Sequence, residues 1–276
     1  MITMMNKRKS VFTSITGFVL MAAILIPAAT LFLWVFTERW TWPDLMPQVF
    51  SKRAVLEIAG RKKELLQIFW SSILISTVVA ALSAVISIMT ARAIVLYRFP
   101  GRELMHFFTI LPFMVPSTVF AMGIQITFIK MGLNNRITGV IIAHLICSLP
   151  YGVRLIMDGT MALGSRLEEQ ARVLGASPFQ AFYKTSLPML TPVILSAVSM
   201  SYIVSFSQYF LTLLIGGGNV KTFTIIMVPY LQSGNRNIAC IYSVLFLCVT
   251  LLVFRVFEGA AGYWMKNGGG EFYTSE

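Results

Sequence analysis

Charge is what this sequence has least of. Only 12% of its residues are charged, about half the share of an ordinary soluble domain. With 57% of its 276 residues hydrophobic, the chain has more apolar surface than one soluble core can hide. It reads as an integral membrane protein.

The scarce charges are also absent where they would do chemistry. All eleven acidic residues, from Glu38 to Glu276, lie at the ends of apolar runs or between them. None sits at mid-membrane depth, where a charge costs at least ~3 kcal/mol and is kept only for a purpose. That speaks against a proton-driven carrier or pump, which needs such groups as relays. The two histidines do not supply one. His106 stands at a helix start, and His144 stands alone in the fourth apolar run, where a lone histidine is normally a packed side chain. The three cysteines, Cys147, Cys240 and Cys248, form no CxxC and have no metal-ligand spacing, so they read as small hydrophobes. Paired carboxylates, HExxH and a serine–histidine–aspartate set are missing, which leaves a membrane enzyme without a catalytic group. Gly216, Gly217 and Gly218 lack the lysine and hydroxyl residue of a phosphate loop. The sequence points to no cofactor or metal and no nucleotide site. Uphill transport by this chain would draw its energy from a partner.

What is present is apolar length. Six runs, near 15–36, 68–91, 105–129, 137–157, 187–215 and 238–262, are long enough to cross a bilayer core of about 30 Å. They are continuous rather than alternating, so the expected fold is all-α, a polytopic membrane protein with six transmembrane helices. The net charge of +11 sits mostly between the runs, which suits lipid headgroups and topology signals better than nucleic acid. With the N-terminus inside, the cytoplasmic side receives Lys7, Arg8, Lys9, Arg92, Arg98, Arg102, Arg154, Arg166, Arg172, Lys184, Arg255 and Lys266. The two short outer loops hold Lys130, Arg136, Lys221 and Arg236. One conflict remains, because the long first outer loop carries Arg39, Lys52, Arg53, Arg61, Lys62 and Lys63. There RKKELLQ reads as an interfacial helix leading into the second span. Both termini are expected in the cytoplasm, with tails at 1–14 and 263–276. The first helix and outer loop occupy 15–67, and the core occupies 68–262. In LPFMVP the prolines Pro112 and Pro116 lie four apart, marking one face of the third helix, either for packing or to bend a pathway.

Residues 163–188 break the apolar pattern. Leu163, Leu167, Ala171 and Leu174 make one face of a short helix. Gly175 is a natural terminator, Ser177 a cap and Pro178 a first-turn residue. Phe179, Phe182 and Tyr183 give a second, aromatic helix, and Leu187-Pro188 restarts the span. This is a helical hairpin, either a plain linker or a docking device.

The run Glu169-Gln170-Ala171-x-x-x-Gly175, followed by Leu187-Pro188, closely resembles the EAA loop of binding-protein-dependent ABC importer permeases. Gln170 stands where that family has alanine and Thr185 where it has isoleucine; the spacings all match. PYGVR at 150–154 and GLNNRITGVIIAH at 132–144 are similar too. The resemblance runs from about residue 66 to the end of the sixth span and is nearest to the polyamine, iron, thiamine and phosphonate importers. It implies a permease subunit in a bacterial inner membrane, not itself an enzyme. Its partners would be two cytoplasmic ATP-binding subunits, a second and different permease chain, and an extracytoplasmic substrate-binding protein. Glu169, Ala171, Gly175, Ala176, Ser177, Phe179 and Phe182 would form the cytoplasmic coupling hairpin. SFSQYFLTLLIGGG at 205–218 resembles the fifth-span exit, with Ser205, Ser207, Gln208, Tyr209 and Thr212 either lining the substrate pathway or bonding between helices. The absence of acidic groups there disfavours a polycation. The rival expectation is a stand-alone channel or secondary carrier.

Overall fold

A computed structural model describes the backbone of residues 2–41 and 43–268, with side chains for 16–41, 43–259 and 262. The expected tail beyond residue 268 lies outside the described residues. In chain order the elements are α1 (Ile2–Val35), β1 (Thr37–Arg39), β2 (Val49–Phe50), α2 (Arg53–Gly60), α3 (Lys62–Leu96), α4 (Arg102–Met114), α5 (Ser117–Lys130), α6 (Ile137–Leu163), α7 (Arg166–Val173), α8 (Pro178–Ala181), a π-turn (Phe182–Ser186), α9 (Leu187–Phe206), α10 (Phe210–Gly216), α11 (Phe223–Gln232) and α12 (Arg236–Gly268). Among the described residues the fold is all-α apart from one two-stranded hairpin.

Among the described residues five stretches are each long and apolar enough to cross a membrane: Thr16–Val35, Lys62–Leu96, Ile137–Leu163, Pro178–Phe206 and Arg236–Gly259. The third expected span departs from a single helix. α4 and α5 reach the required length and hydropathy only together, and they are bent by 114°. Pro116 explains the break. It has no N–H to continue α4, and it forces Val115 into extended backbone (φ −99°, ψ 125°). Pro112 and Pro116 therefore mark two helices and not one face. The fifth expected span also ends early, at Phe206, with α10 beginning separately at Phe210.

The chain divides into two compact units. The first comprises Met1–Lys63 and Met227–Cys248. Within it β1 pairs antiparallel with β2, Thr37 opposite Phe50, and α2 buries Ala54 and Ile58. Trp34 stacks on Trp40 at 5.2 Å, under the Arg236 guanidinium. Arg61 donates to the Tyr230 hydroxyl at 3.4 Å. The RKKELLQ segment is no separate interfacial helix. α2 ends at Gly60, and Lys62 already belongs to the first turn of α3.

The second unit comprises Glu64–Ile226 and Val249–Glu276. Here α3, α6 and α9 meet along a seam of small residues. Gly152 on α6 lies so close to α3 that a Cβ would stand 2.5 Å from Ser87 Oγ and 3.2 Å from Ser83 Oγ. Ser83 in turn hydrogen-bonds Ser201 of α9 at 2.9 Å. Lipid tails are as apolar as leucine, so close van der Waals approach and polar pairs of this kind hold such helices together. Around Ile75, Val79, Val140, Ala143 and Leu211 an apolar cluster joins α3, α6 and α10. Overpacking the seam has a predictable cost. Gly152→Val should destabilise the protein by about 2 kcal/mol and lower its melting temperature in detergent. Gly123→Val, whose Cβ meets nothing within 4 Å, should leave the melting temperature unchanged.

Candidate functional site: a clamped elbow and a broken-helix cleft

The polar stretch folds as two short helices at a rigid corner. α7 carries Glu168 and Glu169 in its first turn and Arg172 in its last, the favourable arrangement for the helix dipole. It closes in a Schellman motif. Gly175 N–H reaches the Arg172 carbonyl at 3.0 Å, and Ala176 N–H reaches the Ala171 carbonyl at 3.0 Å. Gly175 sits at φ +93°, a left-handed conformation that costs a side-chain-bearing residue about 1–2 kcal/mol. Ser177 then caps α8 reciprocally with Gln180: Gln180 N–H donates to Ser177 Oγ at 3.3 Å, and Ser177 N–H donates to Gln180 Oε1 at 3.1 Å. The Ser-x-x-Gln spacing carried this capping-box signal in the sequence, where only Ser177 was expected to cap.

α8 does not stop before the membrane span, as expected, but winds into it. In the π-turn the Leu187 N–H reaches back five residues to the Phe182 carbonyl. The next residue, Pro188, has no N–H to offer the Lys184 carbonyl, and a wider turn accommodates that loss.

One guanidinium ties the corner down. Arg92 of α3 donates to both carboxylate oxygens of Glu168, Nη1 to Oε1 at 2.7 Å and Nη2 to Oε2 at 2.9 Å. Both side chains are 14% exposed. Ser186, buried in the π-turn, donates to the same carboxylate, and the Phe182 ring lies 4.2 Å below the Arg92 guanidinium. Burial alone would raise the Glu168 pKa. The hydrogen bonds from Arg92 and Ser186, with the charges of Arg92 and Arg172, outweigh it and hold the carboxyl below its ordinary value.

The outer side of the elbow is left bare. Val173 is 87% exposed, Leu174 88% and Phe179 73%. Phe179 stacks on the exposed Tyr183 at 6.1 Å. Glu169 and Ser177 are exposed, and Ala171 and Ala176 are half-buried. Phe182 is turned toward Arg92 rather than outward. The face expected from Leu163, Leu167, Ala171 and Leu174 is not packed away: Leu167 and Leu174 are both exposed. A shallow groove runs past Arg166, Glu169, Gln170, Val173 and Leu174. Sequence reasoning gave no site role to Arg92, Glu168, Ser186 or Val173, and it placed Leu174 on a helix face rather than at the bare tip.

The five residues expected near the fifth-span exit separate. Ser205 and Thr212 are buried and hydrogen-bond the two ring nitrogens of His144, at 2.9 and 2.8 Å. Ser207 is exposed, and Gln208 and Tyr209 are half-buried. Gln208 lines a cleft with Pro112, Val115, Ser117, Pro150 and Tyr151. Among the described residues, no group of three or more His, Cys, Asp or Glu side chains is placed to hold a metal ion.

The comparisons agree with this architecture. The family model of binding-protein-dependent transport system inner membrane components matches residues 83–258, well over half of the chain. The chain belongs to that family. It is 27% identical over 252 residues to the sulfate transport system permease protein CysT of Escherichia coli, covering 84% of this chain and 85% of that one. It is 27% identical over 192 residues to the molybdate/tungstate transport system permease protein WtpB of Pyrococcus abyssi, covering 70% and 77%. It is 25% identical over 170 residues to the spermidine/putrescine transport system permease protein PotC of Haemophilus influenzae, covering 62% and 66%. The fold matches a chain of a bacterial ABC transporter that imports the acidic polysaccharide alginate, with TM-score 0.65, 14% identity, and 92% and 98% of the chains covered. The protein is thus a multi-pass, inner-membrane permease component of a binding-protein-dependent ABC importer, driven by partner ATPases and working with a substrate-binding protein. The channel and secondary-carrier alternative falls.

The clamp has a pH signature. Glu168 has a lower pKa folded than unfolded, so its stabilisation is present above the ordinary carboxylate value of about 4.3 and is lost as pH falls through the lower folded value. Amides of residues 166–186, corrected for intrinsic exchange, should keep their protection at pH 5 and lose it only below the ordinary carboxylate range. Glu168→Gln, which leaves Arg92 without its anion, should weaken that protection by about 2 kcal/mol and make it independent of pH.

Proposed function

We propose that the elbow of α7 and α8 is the coupling surface of this permease and lies on the cytoplasmic side, with both termini on that side as well. The observation that carries the reading is the combination at one corner: a backbone locked by two caps and a bidentate ion pair, and a tip of Val173, Leu174 and Phe179 that the chain leaves uncovered. Exposed apolar groups on a rigid mount suit a groove in a partner. Glu169, Ala171, Gly175, Ala176 and Ser177 shape the corner. Phe179 enters the ATPase groove, while Phe182 braces the mount through Arg92.

The described residues hold one such elbow. Two ATPase subunits closing on ATP need two, and a second permease supplies the other, of different sequence as in the importers the EAA loop resembles. Closure changes the spacing of the elbows, and ATP shifts the bundles only by its differential affinity for the two states.

The cargo is a small oxyanion. CysT and WtpB, similar over most of the chain, are named for sulfate and for molybdate or tungstate. No carboxylate lines the cleft at Gln208, which suits an anion better than the polyamines named for PotC.

Phe179→Ala should weaken association with the ATPase subunits about tenfold or more, as truncating a buried aromatic anchor does. Gly175→Arg should abolish uptake of labelled sulfate or molybdate while the protein still inserts. A cysteine at Val173 should react with an impermeant thiol reagent in inside-out vesicles only. Reaction in right-side-out vesicles, or full uptake by Gly175→Arg, would overturn the coupling role.

A further inference from the structure

Two breaks in membrane helices face one cleft. α4 turns into α5 at Val115 and Pro116, and α9 stops at Phe206 before α10 starts at Phe210. The cleft lining carries no charged side chain. Its polar groups are the Ser117 and Tyr151 hydroxyls and the Gln208 amide. None of the three hydrogen-bonds another group among the described residues. In a membrane, polar groups left without protein partners belong beside a water-filled path.

What holds the α9–α10 break is a histidine far from that path in sequence. Thr212 has one hydroxyl proton and gives it to the Gln208 carbonyl at 2.8 Å. Toward His144 Nε2, also at 2.8 Å, Thr212 must therefore accept. Nε2 carries the ring proton, Nδ1 is bare, and Ser205 donates to Nδ1 at 2.9 Å. Thr224 donates a second hydroxyl proton to the Gln208 carbonyl at 2.9 Å. His144, Ser205, Thr212 and Thr224 are all buried. The imidazole of α6 thus bridges the last turn of α9 and the first turn of α10. The peptide between them is gripped from two sides.

We propose that His144 is a positioning residue: without touching cargo, it fixes the backbone at residues 207–209 and so sets the Gln208 amide into the cleft, where that amide selects an oxyanion by hydrogen bonding. The proposal rests on the importer reading above, with cargo passing this cleft. A neutral amide suits the task. It can donate to a passing anion without holding it as an arginine would, and transit requires weak binding.

The test uses the whole complex in vesicles, with Cys147, Cys240 and Cys248 changed to serine and a single reporter cysteine introduced. With Gln208→Cys as reporter, His144→Leu should change the rate of labelling by a water-soluble thiol reagent about fivefold or more, the factor that one lost hydrogen bond gives. His144→Gln, whose amide can still donate to Thr212, should restore the rate. Thr212→Val provides the same test if His144→Leu does not assemble. With Phe113→Cys as reporter, across the cleft on α4, the rate should not move, which separates a local shift from general loosening. In the native-cysteine protein, Gln208→Glu should cut uptake of labelled sulfate and molybdate about tenfold or more, since an uncompensated charge in the path costs more than one factor of ten. An unchanged rate at position 208 in both His144→Leu and Thr212→Val would overturn the positioning role. Undiminished oxyanion uptake by Gln208→Glu would overturn the assignment of Gln208. A wild-type complex that accumulates neither anion would instead sink the oxyanion reading, while the labelling rates still decide His144.

Discussion

The bidentate pair of Arg92 and Glu168 is the contact on which the α7–α8 elbow depends. Apolar helices in lipid gain little from touching one another in preference to the tails around them, so their register is set by close packing and by polar contacts. Most of the contacts here are weak single bonds such as Ser83 with Ser201. Arg92 is different. It joins α3 to α7 through two charge-assisted bonds, and through Ser186 and Phe182 it also reaches the π-turn that leads into α9. Each bond to a charged group contributes roughly 1.5–3 kcal/mol. Partial exposure spares the pair the full desolvation cost of a buried ion pair. Without it, α7 would keep its contacts with α8 and the π-turn but lose its tie to α3.

The molecule uses polar groups in two opposite ways. At the elbow polar groups are paired to fix the backbone: the Schellman bonds, the capping box and the ion pair remove freedom. At the α4–α5 and α9–α10 breaks, part of the polarity is deliberately left open. The backbone there is held, with the Gln208 carbonyl accepting from both Thr212 and Thr224, yet the Gln208 side chain and the Ser117 and Tyr151 hydroxyls face a cleft. A stiff mount and an unpaired lining are what the proposed coupling and transit roles each require.

Much of this was legible in the sequence, for local reasons. Apolar run length reports on the bilayer, and the six runs survive as five single helices and one bent pair. The elbow was legible because Gly175, Ser177 and Pro178 each have strong positional preferences. What failed was long-range or degenerate. Glu168 and Glu169 are neighbours of identical chemistry, and nothing local says which one meets an arginine 76 residues away. Pro112 and Pro116 have the spacing of one helical face, which hid that the second proline ends the helix. His144 was expected to be a packed side chain, and it is buried. Its value lies in two hydroxyls from α9 and α10 that no pattern around residue 144 announces. The same bonds account for Ser205 and Thr212 inside the bundle, leaving Ser207, Gln208 and Tyr209 as the more accessible part of the expected lining.

One helix connects the two ends. From Pro178 to Phe206 the chain is helical for 29 residues without an interruption greater than the π-turn, a rod of roughly 40 Å. At its start are Phe179 and the bracing Phe182; at its end is the break that His144 bridges. A displacement of the elbow passes into such a helix more directly than into a loop, with the π-turn, Pro188 and Pro192 as the places where it can bend. Transport in this family is driven by partner ATPases, so the work that would produce such a displacement enters from outside the chain. On the coupling role proposed above, the mechanical continuity of α8, the π-turn and α9 is the physical route by which work done on the exposed apolar tip reaches the uncharged cleft. The Arg92 clamp ties α3 to the start of that helix through Glu168 and the Phe182 ring.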